Sequence, residues 1–181
     1  MAGGSISARY LLYLEKLPSM KVLSIIAIML LSVSAKCQLK PKDQCPLFQV
    51  DVLHGIVNEV LKPNSSPDYI KRILPCFTSF EEGDKAKCGE GVFYKDRDIY
   101  FYSKRNYIEI GDKFKGKLSI PLIGAKRNSL FSRLGNPVLK DPNWDAYTTA
   151  YGCLVLHYNK TGRVNKIQFS TNGTGSLQLC E

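Results

Sequence analysis

His54 and His157 are the side chains of this sequence whose ordinary pKa lies near neutrality. Two imidazoles beside a lysine can cleave RNA, one taking the 2′-hydroxyl proton and the other protonating the leaving oxygen. A small basic nuclease built on His54 and His157 is therefore one reading of the chain. No motif brings the two together: 102 positions separate them, and each is embedded in apolar or polar sequence of its own. Asp141 and Asp145 flank Trp144 and could form a carboxylate pair, but the surrounding Pro142 and Asn143 indicate a turn. Glu81, Glu82 and Asp84 lack the regular ligand spacing of a calcium loop. No phosphate loop, G-x-S-x-G elbow or Cys-His nucleophile pattern occurs, and no cofactor is implied.

Aromatic residues carry more information. Tyr94, Tyr100, Tyr102 and Tyr107 crowd one region beside Arg97 and Arg105. Strand alternation sends Tyr100 and Tyr102 to one face, with Ile99 and Phe101 on the other. If the first face is open, tyrosine with arginine suits a protein-binding surface. These six residues form the candidate surface; ordinary sheet packing is the alternative.

The elements that would position these residues follow from periodicity and turn chemistry. Phe48, Val52, Leu53, Ile56, Val57, Val60 and Leu61 recur at three- and four-residue steps, which predicts a helix ended by Pro63. Ser66 as N-cap and Pro67 at the first helical position start a second helix that ends at Pro75. From Val92 the texture is that of strands: 92–95, 98–103, 107–110 and 118–122, then a short helix over 128–134 stopped by Gly135. Residues 151–158 and 163–170 form a hairpin about Asn159-Lys160-Thr161-Gly162. The expectation is an α+β fold: an N-terminal helical hairpin followed by a mostly antiparallel sheet with one short inserted helix.

Met20–Ala35 has one lysine, an apolar run and a small-residue end, as a secretory signal peptide does. Residues 1–35 are read as an upstream extension and signal peptide, and 36–181 as a single α+β domain. The expected location is secreted or periplasmic, with cleavage after Ala35 or before Gln38. A lipid anchor through Cys37 is disfavoured because Lys36 is not small. The apolar run is too short to span a bilayer, and no later stretch approaches that length.

Export changes the meaning of Cys37, Cys45, Cys76, Cys88, Cys153 and Cys180: an even set in an oxidising space implies disulfides. Cys76 and Cys88 bracket a polar segment, which favours a local bridge; Cys180 should pin the C-terminus. No free thiol is expected. No C-x-x-C occurs, so a zinc site is not indicated. Asn64, Asn159 and Asn172 sit in glycosylation sequons, meaningful only in a eukaryotic secretory pathway.

The formal charge is +9, from 25 basic and 16 acidic residues. The basic residues are scattered, and no recognition-helix or aromatic RNA-binding signature accompanies them, so solubility and loose attraction to anionic surfaces explain the balance.

Residues 118–170 resemble the envelope domain of the SmpA/OmlA (BamE-like) group, a fold shared with β-lactamase inhibitor proteins. The likeness rests on Ile120-Pro121-Leu122-Ile123-Gly124, on Ser129–Leu134 followed by Gly135-Asn136-Pro137, on the tyrosine-bearing stretch 145–151, and on Thr161-Gly162-Arg163-Val164. It implies a binding or assembly module with a protein partner and transfers no specific one. The extra cysteines and the segment before the block depart from that group.

Overall fold

Residues 45–83 and 88–180 are described by a computed structural model; they belong to one compact unit, Asp43–Glu181. The segments read as upstream extension and signal peptide, the expected cleavage points and Cys37 lie outside the described residues.

The segment predicted as the first helix is instead β-structure. Phe48, Val50 and Val52 are buried at two-residue steps, and Leu53 and Val60, assigned to the helical stripe, are exposed. Strand β1 (Gln49–Asp51) turns back into β2 (Ile56–Val57). Turn chemistry overrides the helical period here. The Asp51 carboxylate accepts from the backbone N–H groups of Leu53 and His54, at 3.1 and 3.2 Å, and Gly55 stands at φ +65°. A side chain on Gly55 would collide with the Tyr151 ring, 2.6 Å from an ideal Cβ. Asn58 and Glu59 also have positive φ, and the Asn58 side chain accepts from Gln49 N–H at 2.7 Å. Among the described residues no helical hairpin forms, and the fold is mostly β, with only two short α-helices.

The first of these, α1 (Pro67–Ile73), starts as its sequence signals: Ser66 Oγ accepts from Tyr69 N–H and Pro67 opens the first turn. Ile70 and Leu74 are its fully buried anchors. Then come β3 (Ser79–Glu81), β4 (Gly91–Tyr94), β5 (Ile99–Tyr102), β6 (Tyr107–Gly111) and the short β7 (Lys117–Leu118). The predicted inserted helix is a 3-10 turn, Arg127–Ser129, leading into one turn of α2 (Phe131–Leu134). Gly135, at φ +73°, ends it. β8 (Leu139–Lys140), β9 (Trp144–Thr149), β10 (Gly152–Tyr158) and β11 (Val164–Ser170) complete the chain.

Eight strands form one antiparallel sheet in the order β3-β4-β5-β6-β11-β10-β9-β8; the small sheet is β2-β1-β7, in which β1 and β7 run parallel. The β10–β11 hairpin turns at Asn159–Gly162, with Gly162 at φ +67°. Alternation separates the faces of the large sheet. Val92, Tyr94, Ile99, Phe101, Ile108, Ile110, Leu154, Leu156, Ile167 and Phe169 join the main core with Phe48, Val50, Ile70, Leu74 and Leu122. The small sheet and α1 thus cover this inner face. On the outer face Ala146, Cys153 and Val155 form a second, smaller cluster, on which Trp144 and Leu177 pack.

The cysteine pairing differs from the expected local bridge. Cys45 is bonded to Cys76, and Cys88 to Cys180, each with Cα atoms 5.4 Å apart. The described stretch after Cys76 is not a loop closed on itself, because it contains β3, the sheet's edge strand. Cys153 is a free thiol, buried at the start of β10, which corrects the expectation of none. Cys180 does pin the C-terminal segment.

Candidate binding surfaces

The six residues of the candidate surface do not form one patch. Tyr94 belongs to the inner core: it is fully buried against Phe48, and its hydroxyl donates to Leu74 C=O at 2.6 Å. Arg97 lies in the β4–β5 turn, half-buried beside Asp96. Tyr100, Tyr102 and Tyr107 share the outer face. Tyr100 donates to Asp98 at 3.1 Å, and Tyr102 stacks on Tyr107 with centroids 4.5 Å apart.

Arg105 and Tyr107 do bind peptide backbone, and it is the chain's own. Arg105 Nη1 donates to Leu179 C=O at 2.9 Å and to Gln178 C=O at 3.5 Å, while its Nε donates to Cys88 C=O at 3.0 Å. Cys180 N–H donates to the Tyr107 hydroxyl at 3.1 Å. Leu177 and Leu179 face a hollow of about 220 Å3 whose other walls include Trp144, Val155, His157 and Leu139. The C-terminal segment therefore straps the outer face, closed by the Cys88–Cys180 bond. Sequence reading found the tyrosines and Arg105, and reads Leu177–Leu179 as a closing edge strand; the segment instead pairs with no strand and lies across the outer face.

Burial pushes several phenols upward. Tyr102 rises to about 12, by desolvation first and then by Glu109 nearby. Tyr94, Tyr107 and Tyr151 rise further, each mainly by desolvation. Desolvation also lifts the Cys153 thiol to about 11. Raised folded-state values mean that the unfolded chain releases these protons first. Their contribution to stability is complete below about pH 9–10 and is lost as pH climbs through the folded values, each group steepening the fall by up to about 1.4 kcal/mol per pH unit. Urea midpoints should therefore be level near pH 8–9 and drop steeply by pH 11.5. A flat profile across that range would contradict the burial of these groups.

The two histidines are not brought together. His54 sits in the β1–β2 turn, its side chain 72% exposed, with Nδ1 2.8 Å from Asp51 Oδ2. His157 lies on the outer face of β10, remote in layer from that turn. Around His54 a cleft of about 460 Å3 also contains Ser119, whose hydroxyl donates to Asp51 Oδ1 at 3.2 Å. The carboxylate stands between hydroxyl and imidazole, so the imidazole does not reach the serine proton, unlike a Ser-His-Asp order. Desolvation would raise the Asp51 pKa, but hydrogen bonds from the His54 ring and backbone and from Ser119, with attraction to the imidazole, outweigh it and leave the carboxyl below its ordinary value. His157 is held by a relay. Glu109 accepts from Gln168 Nε2 at 2.6 Å, so Gln168 Oε1 faces His157 Nε2, also at 2.6 Å, and that nitrogen carries a proton.

Asp145, read from sequence as part of a turn, is a buried strand residue, 3% exposed on the inner face. Arg127 meets it with two guanidinium nitrogens, and the Tyr158 hydroxyl donates to it at 2.8 Å. Arg127 Nη2 and Nη1 also donate to the carbonyls of Asp141 and Pro142, at 2.8 and 3.2 Å, and its guanidinium lies 4.8 Å from the Tyr158 ring centroid. Its pKa is raised, chiefly by the hydrogen bond to Asp145. This ion pair fastens the 3-10 turn to β9 and floors a cleft of about 670 Å3 lined also by Phe131, Gly135, Asn136, Pro137 and Lys140. Its carboxylate is fully engaged, which makes it a structural rivet.

No family model, curated protein or solved structure matches this chain. Its surfaces must speak for themselves. Beside the riveted cleft, Phe131 and Val138 are 62% and 59% exposed, the most open large apolar side chains among the described residues, while Leu139 lies with Ala146 at the outer-face hollow. Lys126, Arg133 and Lys140 are exposed on the same stretch. The hairpin turn adds Lys160 and Arg163, joined to it by the Lys126–Arg163 bridge. The acidic residues here are subdued: Asp145 is paired with Arg127, and Asp141 is half-buried. Among the described residues no cluster of three His, Cys, Asp or Glu could hold a metal, and no helix is long and apolar enough to cross a membrane.

Proposed function

We propose that this chain is an exported binding or assembly module whose partner is a protein, docking at the β8 end of the large sheet. The observation that carries this is exposed Phe131 and Val138, set among Lys126, Arg133 and Lys140. Open apolar side chains in a cationic frame fit a partner segment that alternates apolar groups with carboxylates. Two disulfides suit a secreted or periplasmic setting. The likeness of residues 118–170 to the SmpA/OmlA group points the same way.

The test is affinity capture from an envelope or secreted fraction with the wild-type chain and with Phe131→Asp/Val138→Asp. Capture of one discrete protein should fall at least tenfold in the variant, with an unchanged circular-dichroism spectrum, and should weaken with salt. Turnover of RNA, peptide or glycan by the pure protein, abolished by one substitution, would overturn the proposal.

A further inference from the structure

The outer face of the large sheet holds its own C-terminal segment the way a receptor holds a peptide. Leu177 and Leu179, two residues apart, both line the hollow shared with Val155 and Trp144, and Leu177 packs on the outer-face cluster. Two successive carbonyls are taken by the Arg105 guanidinium, and the next N–H by the Tyr107 hydroxyl. The segment makes no strand pairing of its own, so these contacts and the Cys88–Cys180 bond are what hold it. Backbone groups satisfied by side chains, with alternate side chains in a pocket, are the recognition mode of extended peptides.

We infer that this face is a docking site for an extended segment of another protein carrying leucine-sized side chains two residues apart, and that residues 177–180 occupy it in cis. It is a second surface, independent of the β8 end proposed above. The bridge keeps the tail at high local concentration, so an outside segment gains access only when Cys88–Cys180 is open. Opening takes two electrons and two protons from a dithiol reductant, which leaves as its own disulfide and yields the Cys88 and Cys180 thiols. The buried Cys153 thiol, in the cluster on which Leu177 packs, reports whether the face is covered.

The probe is a capped synthetic peptide of residues 174–180 with Cys180→Ser. The host is the full chain with Cys88→Ser, Cys180→Ser, Leu177→Asp and Leu179→Asp, whose tail can no longer compete. Trp144, the single tryptophan, lines the hollow and serves as the fluorescence reporter. The peptide should bind this host saturably, and a peptide with both leucines changed to aspartate should not. Iodoacetamide should label Cys153 at least tenfold faster in the host than in wild type, and the peptide should restore protection. Arg105→Gln in the host should weaken binding about tenfold, as expected for a charged hydrogen bond. Wild type should ignore the peptide.

Equal response to both peptides, or Cys153 as protected in the folded host as in wild type, would overturn the inference. Should the fourfold variant fail to fold, Leu177→Asp alone in the bridged chain must raise Cys153 labelling at least tenfold; no change there also overturns it. A peptide-independent dimer of the Cys88→Ser/Cys180→Ser chain would assign the face to a second copy and overturn the reading of a different partner.

Discussion

Replacing Arg127 by alanine is expected to cost about 3–5 kcal/mol, because it leaves a buried carboxylate without its counter-charge. Asp145 is 3% exposed, and without Arg127 its carboxylate keeps the Tyr158 hydroxyl as a donor but no counter-charge. The guanidinium also satisfies two carbonyls of the β8–β9 turn, at Asp141 and Pro142. Arg127→Lys should recover only part of the loss, since an ammonium cannot serve a carboxylate in fork geometry and two carbonyls at once. Removing the whole network with Arg127→Met, Asp145→Leu and Tyr158→Phe should return stability toward wild type, because no buried charge then remains unpaired. Urea denaturation at pH 7 measures all three. Equal destabilisation in the single and triple variants would show that the site's packing, and not the ion pair, carries the effect.

The Cys45→Ser/Cys76→Ser chain should be less stable by about 3–4 kcal/mol, the chain-entropy expectation for that loop size. The bridged positions are 31 residues apart and tie the segment entering β1 to the end of α1. Both sulfurs pack against the main core, so the bond also holds Phe48 and Leu74 in place. The sheet should survive, seen as an unchanged far-ultraviolet spectrum with a lower urea midpoint, and Cys153 should stay as slow to alkylate as in wild type. Peptide mapping without reduction should recover Cys45–Cys76 and Cys88–Cys180. Recovery of a Cys76–Cys88 peptide, or a midpoint unchanged in the variant, would contradict this account.

What the sequence by itself determined is what lies in neighbouring residues. Ser66-Pro67 starts a helix wherever it is placed, because a side-chain oxygen and a fixed φ act within one turn. The hairpin about Asn159–Gly162 and the stop at Gly135 are local in the same sense, needing only a residue that tolerates positive φ. The alternation of Ile99, Tyr100, Phe101 and Tyr102 likewise fixes which side chains share a face. Tertiary structure decided the rest. Residues 48–61 satisfy a helical period and a strand period together, and the parallel pairing of β1 with β7, nearly seventy positions away, selects the strand. Asp145 looks like a turn residue until Arg127 arrives from another element to neutralise it. The tyrosine and arginine surface was legible as residues but not as a state, because whether a face is open depends on what folds over it. Here that is the chain's own residues 177–180, whose hold rests on one arginine, one phenol and a disulfide to a cysteine 92 positions earlier. Periodicity and spacing report contacts along the chain; contacts across it are settled only when burial makes one pairing of distant groups lower in free energy than the others.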